Sequence, residues 1–348
     1  MSAKQKAAKL VGAAVVLALP FAALAQVPTP PAPSATPARQ HAKPAAKPPA
    51  APAARPAQPS GAAGAGGPDL AFGAYQRGYF LTAFHEATKR VTEKADPQAM
   101  TLLGELYANG LGISNDDKKA AEWYKLAADR GDPNAIFALA MFRLGGRGGP
   151  RDRNEAARLL AAAAKLGHAA AAYDLALLYI EGQQFPQDFA RAAELLRTAA
   201  NAGSPEAQYA LATMYKEGRG VPQDLREAAR LLGAASVAGN IDASIEYAIA
   251  LFNGTGVAKD EAQAAVLLRK AAMRGNPVAQ NRLARLLMSG RGVPADAGEA
   301  MKWHLIARAG GAGDQVLDEF MARQPADLRT AAEKKAKPWL DFLASMRS

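Results

Sequence analysis

The chain has 348 residues, no cysteine and a formal net charge of +10. Without cysteine it has no disulfide framework, no thiolate metal site and no lipid-attachment cysteine, so a packed core must supply its stability. The positive balance is not a nucleic-acid signature: Lys4, Lys6 and Lys9 carry three charges, Arg39, Lys43, Lys47 and Arg55 carry four, and the remainder keeps +3.

Residues 1–25 read as a signal peptide. Three lysines precede an apolar stretch from Leu10 to Leu24, and Ala23-Leu24-Ala25 forms a small-residue cleavage site. The apolar run is about 15 residues long and contains Pro20, short of the roughly 20 that a membrane span needs. Cleavage after Ala25 is therefore expected, leaving no stable membrane span and a periplasmic or secreted product. Residues 26–68 hold twelve of the 23 prolines, and no acidic residue occurs before Asp69. Such a segment cannot bury enough apolar surface to offset its ordering entropy, so a disordered linker is expected. It serves as a spacer or as a weak electrostatic tether to anionic envelope polymer.

From residue 99 the chain keeps a fixed period. Gly131, Gly167, Gly203, Gly239, Gly275 and Gly311 stand 36 residues apart, as do Ala99, Ala135, Ala171, Ala207, Ala243 and Ala279. This step identifies an all-α, α/α superhelical solenoid of helix-turn-helix repeats, each too small to bury its apolar face alone. Six repeats are expected over 99–314. A degenerate repeat at 69–98 and capping helices at 315–348, around Pro325 and Pro338, cover the two ends. Phe320, Leu328, Trp339 and Phe342 are the side chains available to close the C-terminal end.

Within a repeat, Asp96, Asp132, Ser204, Asn240 and Asn276 precede helix A as N-caps, with His168 as the odd member. Pro97, Pro133, Pro205 and Pro277 follow at the first helical position. Helix A ends at Gly110, Gly146, Gly182, Gly218, Gly254 and Gly290. Helix B begins at Asp116, Asp152, Asp188, Asp224, Asp260 and Asp296. Glu155, Glu227, Gln263 and Glu299 complete a capping-box pattern in four of the six. Losing one such aspartate costs about 1 kcal/mol, so its recurrence is structural rather than catalytic.

Ala207-x-x-x-Leu211-Ala212-x-x-Tyr215-x-x-Gly218-x-Gly220-Val221-x-x-Asp224 resembles the Sel1-like repeat family, a relative of the TPR helical solenoids. The likeness covers roughly 99–314, with Arg143 in place of the tyrosine in the second unit and Gln184 in place of the second loop glycine in the third. The resemblance implies a non-enzymatic scaffold. Similar proteins act as adaptors, as regulators of envelope signalling, or in cell-envelope and host interactions.

Residues suited to catalysis or cofactor binding are few. The Gly-x-Gly loops follow helices rather than strands and so end helices instead of cradling phosphate. His41, His85, His168 and His304 show no ligand spacing, so neither a metal nor a cofactor is expected. A second apolar stripe on helix A does need explaining. It runs through Phe137, Met141 and Leu144, then Tyr173, Leu177 and Ile180, then Tyr209, then Ile245, Ile249 and Phe252. Either the stripe floors a concave groove for a protein or peptide partner, or superhelical winding buries it between units. Arg143, Arg147, Arg151 and Arg153 crowd one loop, as solvated charge or as a contact for an anion or acidic partner. The alternative function is a module binding peptidoglycan or other cell-wall fragments, which would use polar groups and stacking aromatics.

Overall fold

A computed structural model describes residues 69–183 and 185–345. Among these, sixteen α-helices and no strand occur. Helices α1 (Leu70–Gln76) and α2 (Phe80–Lys94) form a leading hairpin. The six A helices are α3 (Pro97–Asn109), α5 (Pro133–Gly145), α7 (Ala169–Glu181), α9 (Pro205–Glu217), α11 (Ile241–Asn253) and α13 (Pro277–Ser289). They alternate with the B helices α4 (Asp117–Ala128), α6 (Arg153–Lys165), α8 (Phe189–Asn201), α10 (Leu225–Val237), α12 (Glu261–Met273) and α14 (Ala297–Ala309). Helices α15 (Gln315–Ala322) and α16 (Ala326–Ser345) follow. From α1 to α14 each helix packs on the one before and the one after it, as a solenoid requires, and α16 packs back on α14.

The repeated alanines allow this close stacking. Ala135, Ala171, Ala207, Ala243 and Ala279 are fully buried, as are Ala120, Ala156, Ala192, Ala264 and Ala300. Larger side chains fill the spaces between them, among them Leu103, Leu160, Leu196, Leu211 and Leu283. Where a ring enters the seam, a glycine makes room. A Cβ on Gly104 would stand 2.6 Å from the Tyr124 ring, and Gly233 lies against Tyr247 in the same way.

The N-caps of helix A are as the sequence places them, and His168 performs the same task with a ring nitrogen: its Nδ1 accepts from the Ala171 amide at 3.1 Å. The aspartates also cap every B helix, for example Asp152 accepting from the Glu155 amide at 2.9 Å. The capping boxes, however, are only half formed. Their second half needs the cap residue's own amide, and that amide donates to the end of the preceding helix A: Asp116 to Tyr107, Asp152 to Arg143, Asp188 to Tyr179, Asp224 to Tyr215, Asp260 to Leu251 and Asp296 to Leu287. Freed from that role, Glu155, Glu227 and Glu299 pair with Arg158, Arg230 and Lys302 one turn on.

The two glycines of each loop do different work. The first closes helix A in the left-handed conformation, as Gly218 does at φ 67°. The second lets the loop dock on the preceding B helix, where a Cβ on Gly220 would stand 2.3 Å from the Phe189 carbonyl oxygen. Its counterpart in the third unit, Gln184, lies outside the described residues, as do the signal peptide and the linker.

At the C-terminal end Phe320 and Trp339 pack against the last repeats, Trp339 meeting Trp303 edge to face at 5.7 Å. Helix α16 runs through Pro338 without a break. Phe342 is 60% exposed and closes nothing.

Candidate functional site

The helix-A stripe divides by depth. Phe137, Tyr173, Ile180 and Tyr209 are half-buried and lean on the central core, while Ile249 and Phe252 lean on the C-terminal one. Leu144 and Leu177 are partly exposed, and Met141 is 38% exposed. Ile245 departs from the groove expectation, being a core side chain 6% exposed. Its short branched chain ends inside the seam that the Tyr173 and Tyr209 rings extend beyond. Phe137 also has a structural duty, stacking on the His168 ring at 4.5 Å and 24°. Partial burial thus anchors the stripe without hiding it, and burial raises the Tyr173 phenol and pushes that of Tyr209 up to about 12.

A second line of residues follows the stripe one position later: Leu102, Ala138, Asp174, Ala210, Glu246 and Arg282. The sequence pattern alone does not mark its charges as a site. The available signal was a charged residue where equivalent units carry Leu or Ala. Asp174 makes no hydrogen bond or ion pair with any described residue, and burial pushes its carboxyl up to about 6. Glu246 accepts from Lys216 Nζ at 2.9 Å. The Arg282 Nε is buried without an acceptor, and desolvation holds this guanidinium below its ordinary value.

The four loop arginines do not form one cluster. Arg147 lies 2.5 Å from Asp117 in an ion pair, donates to the Ala108 carbonyl and covers the Phe142 ring at 4.4 Å. It is a brace between units, as Arg291 is on Glu261 and Phe252. Arg143, at the tyrosine position, is half-buried in a cleft with Leu139, Pro150 and Leu159. Arg153 reaches Gln183 at 3.4 Å, and Arg151 is exposed.

No group of three or more His, Asp or Glu side chains among the described residues is placed to hold a metal ion. None of their helices is long and apolar enough to cross a membrane.

These features define an all-α repeat solenoid with a part-apolar, charge-bearing A face. The chain belongs to the Sel1 repeat family: the family model matches six consecutive segments, 97–132, 133–168, 169–204, 205–240, 241–276 and 277–311. Among solved structures it is similar to a Sel1 repeat protein from Oxalobacter formigenes, at 25% identity and TM-score 0.57 over 69% of this chain and 97% of that one. It is also similar to c5321, a protective antigen of uropathogenic Escherichia coli displaying an SLR fold, at 21% identity and TM-score 0.45 over 80% and 84%. A Sel1 repeat protein from Klebsiella pneumoniae subsp. pneumoniae matches at 23% identity and TM-score 0.35 over 51% and 88%. Comparison with the curated proteins returns no match. Sel1 repeat solenoids are generally non-enzymatic scaffolds for protein–protein interaction.

Proposed function

We propose that the chain is a protein- or peptide-binding scaffold of the bacterial cell envelope, exported with cleavage after Ala25 and binding through a concave helix-A face. The observation that carries this reading is the half-buried row of Phe137, Tyr173, Tyr209, Ile249 and Phe252, with Met141 standing out from it. Rings and aliphatic chains held rigid at the root and open at the tip are the usual anchors of protein interfaces. The export part rests on the Lys4–Ala25 segment alone.

The test is capture from envelope extract by the full mature chain, compared with a Met141→Glu/Leu177→Glu variant. These two positions avoid the Phe137–His168 stack and the core residue Ile245. Partner binding lost with far-UV helicity unchanged supports the groove. Equal capture by both forms removes it, and retention of wall fragments alone moves the function to glycan binding. Mass spectrometry of the exported protein, beginning at Gln26 or not, decides the processing.

A further inference from the structure

Val266, on α12, is 65% exposed at a position that is charged in every other repeat, where Glu122, Arg158, Glu194, Arg230 and Lys302 stand. Met273, at the end of α12, is 57% exposed, and Val237, at the same position one unit earlier, is 90% exposed. In the first three units that position holds Asp129, Lys165 and Asn201. Val278 stands out from the first turn of α13, where Asn134, Glu206 and Asp242 are the counterparts. The helices are the same in every unit, so folding does not call for aliphatic side chains at these places, and their exposure to water is unfavourable.

These side chains are interleaved with cations. On α12, Val266, Arg269, Lys270 and Met273 follow one another at helical spacing and share one face. Arg274 Nη1 donates to the Gly239 carbonyl at 3.2 Å, which sets the end of α12 beside the end of α10, so Met273 and Val237 lie on one edge of the stack. Arg269, Lys270 and Arg274 are exposed, and no acidic residue occurs from Ala262 to Ala295. The helix dipole favours cations in a last turn, but an exposed valine or methionine gains nothing from it.

We propose that this edge docks onto an anionic phospholipid surface, with the cations on the headgroups and Val237, Val266 and Met273 at the acyl boundary. It uses no part of the A-helix stripe and stands apart from the groove reading. The side chains favour lipid over other anionic partners. Protein interfaces are depleted in lysine and rich in rings, and single-stranded nucleic acid is held by stacking rings. This patch has a lysine and no ring. A duplex phosphate backbone offers its aliphatic side chains no apolar phase to enter.

Co-sedimentation of the full chain with vesicles of equal parts phosphatidylcholine and phosphatidylglycerol, against phosphatidylcholine alone, tests this. Wild type should pellet with the anionic vesicles only, and less as salt is raised. Arg269→Gln/Lys270→Gln should weaken binding about tenfold, and Val266→Ser/Met273→Ser by about as much. All four side chains are exposed, so helicity and Tm should stay at the wild-type values. Because the chain has no cysteine, Met273→Cys takes a single environment-sensitive dye. Its emission should shift to the blue on anionic vesicles, while the dye on Asn201→Cys, at the equivalent position two units earlier, should not respond. No pelleting with anionic vesicles overturns the inference. Binding that both patch variants keep and that Arg39→Gln/Lys43→Gln/Lys47→Gln/Arg55→Gln loses overturns it too, and moves the attraction to the N-terminal cations. Pelleting without a dye shift at Met273, or abolished by soluble polyglutamate at matched charge, overturns the lipid assignment in favour of a general polyanion site.

Discussion

Lys216 and Glu246 close the seam between the fourth and fifth A helices at 2.9 Å, and two units earlier the equivalent positions hold Leu144 and Asp174. One acid has a cation and the other has only burial. The difference lies in the single residue thirty positions back, because the repeat backbone is the same in both places. A solenoid can thus carry an unsatisfied charge in one unit without disturbing its neighbours, since each unit contacts only those beside it.

The Asp174 carboxyl, pushed by burial up to about 6 from an ordinary 3.8, ties this site to pH. The folded chain holds this proton more tightly than the unfolded chain. The destabilisation is therefore complete above about pH 6 and is relieved as pH falls toward about 4. A shift of this size corresponds to roughly 1–3 kcal/mol. Asp174→Asn should be more stable than wild type by that order at pH 7, with the gap closing by pH 4 in urea titrations. A gap independent of pH would mean that the carboxylate is already satisfied.

His168 has the opposite sign. Its Nδ1 caps α7 only while unprotonated, and burial lowers its pKa against the pull of Asp132. The stabilisation is full above about 6.5 and is lost as pH falls through the lower folded value. Wild type should lose up to about 1 kcal/mol, the worth of a cap, between pH 7.5 and 5. His168→Asn, which adopts the side chain found at Asn240 and Asn276, should not show this loss. If both titrate alike by chemical denaturation, the histidine cap is not the cause.

At the C-terminal end, Asp314 caps α15 through the Val316 and Leu317 amides and accepts from Arg285 Nε at 2.6 Å and Asn281 at 3.0 Å. Burial alone would raise its pKa, but the hydrogen bonds from Arg285 and Asn281 outweigh it and hold the carboxyl below its ordinary value. Asp314→Ala breaks the ion pair with Arg285 and removes the α15 cap, a loss on the order of 3 kcal/mol. Hydrogen exchange should show α13 and α15 opening first, while α5 to α9 keep their protection.

The sequence made the helices and their order legible because caps, prolines and glycines act within a few residues of themselves. It did not reveal the partner of each Asp cap's amide, since the Arg143 carbonyl that takes Asp152 belongs to another helix. The loop arginines misled for a similar reason. Arg147 reads as solvated charge until Asp117, thirty residues earlier, is brought beside it. Within the stripe, periodicity gave the face but not the depth. Ile245 and Tyr209 hold equivalent positions, yet only the longer side chain leaves the seam.

The two loop glycines give the sharpest test of how units are joined. Gly254 and Gly256 have nearly equal φ, 74° and 70°, so an alanine at either bears the same left-handed penalty of about 1–2 kcal/mol. Their surroundings differ. A Cβ on Gly254 meets Lys259 Cβ at 3.2 Å, a contact relieved by a shift of a few tenths of an ångström, whereas on Gly256 it falls 1.9 Å from the Leu225 carbonyl oxygen at the start of α10. Gly256→Ala must push the loop off the preceding unit and should cost roughly twice as much as Gly254→Ala, about 2–4 kcal/mol by thermal denaturation. Equal costs would mean that backbone conformation alone selects both glycines and that the docking of loop on helix contributes nothing to the stacking of units.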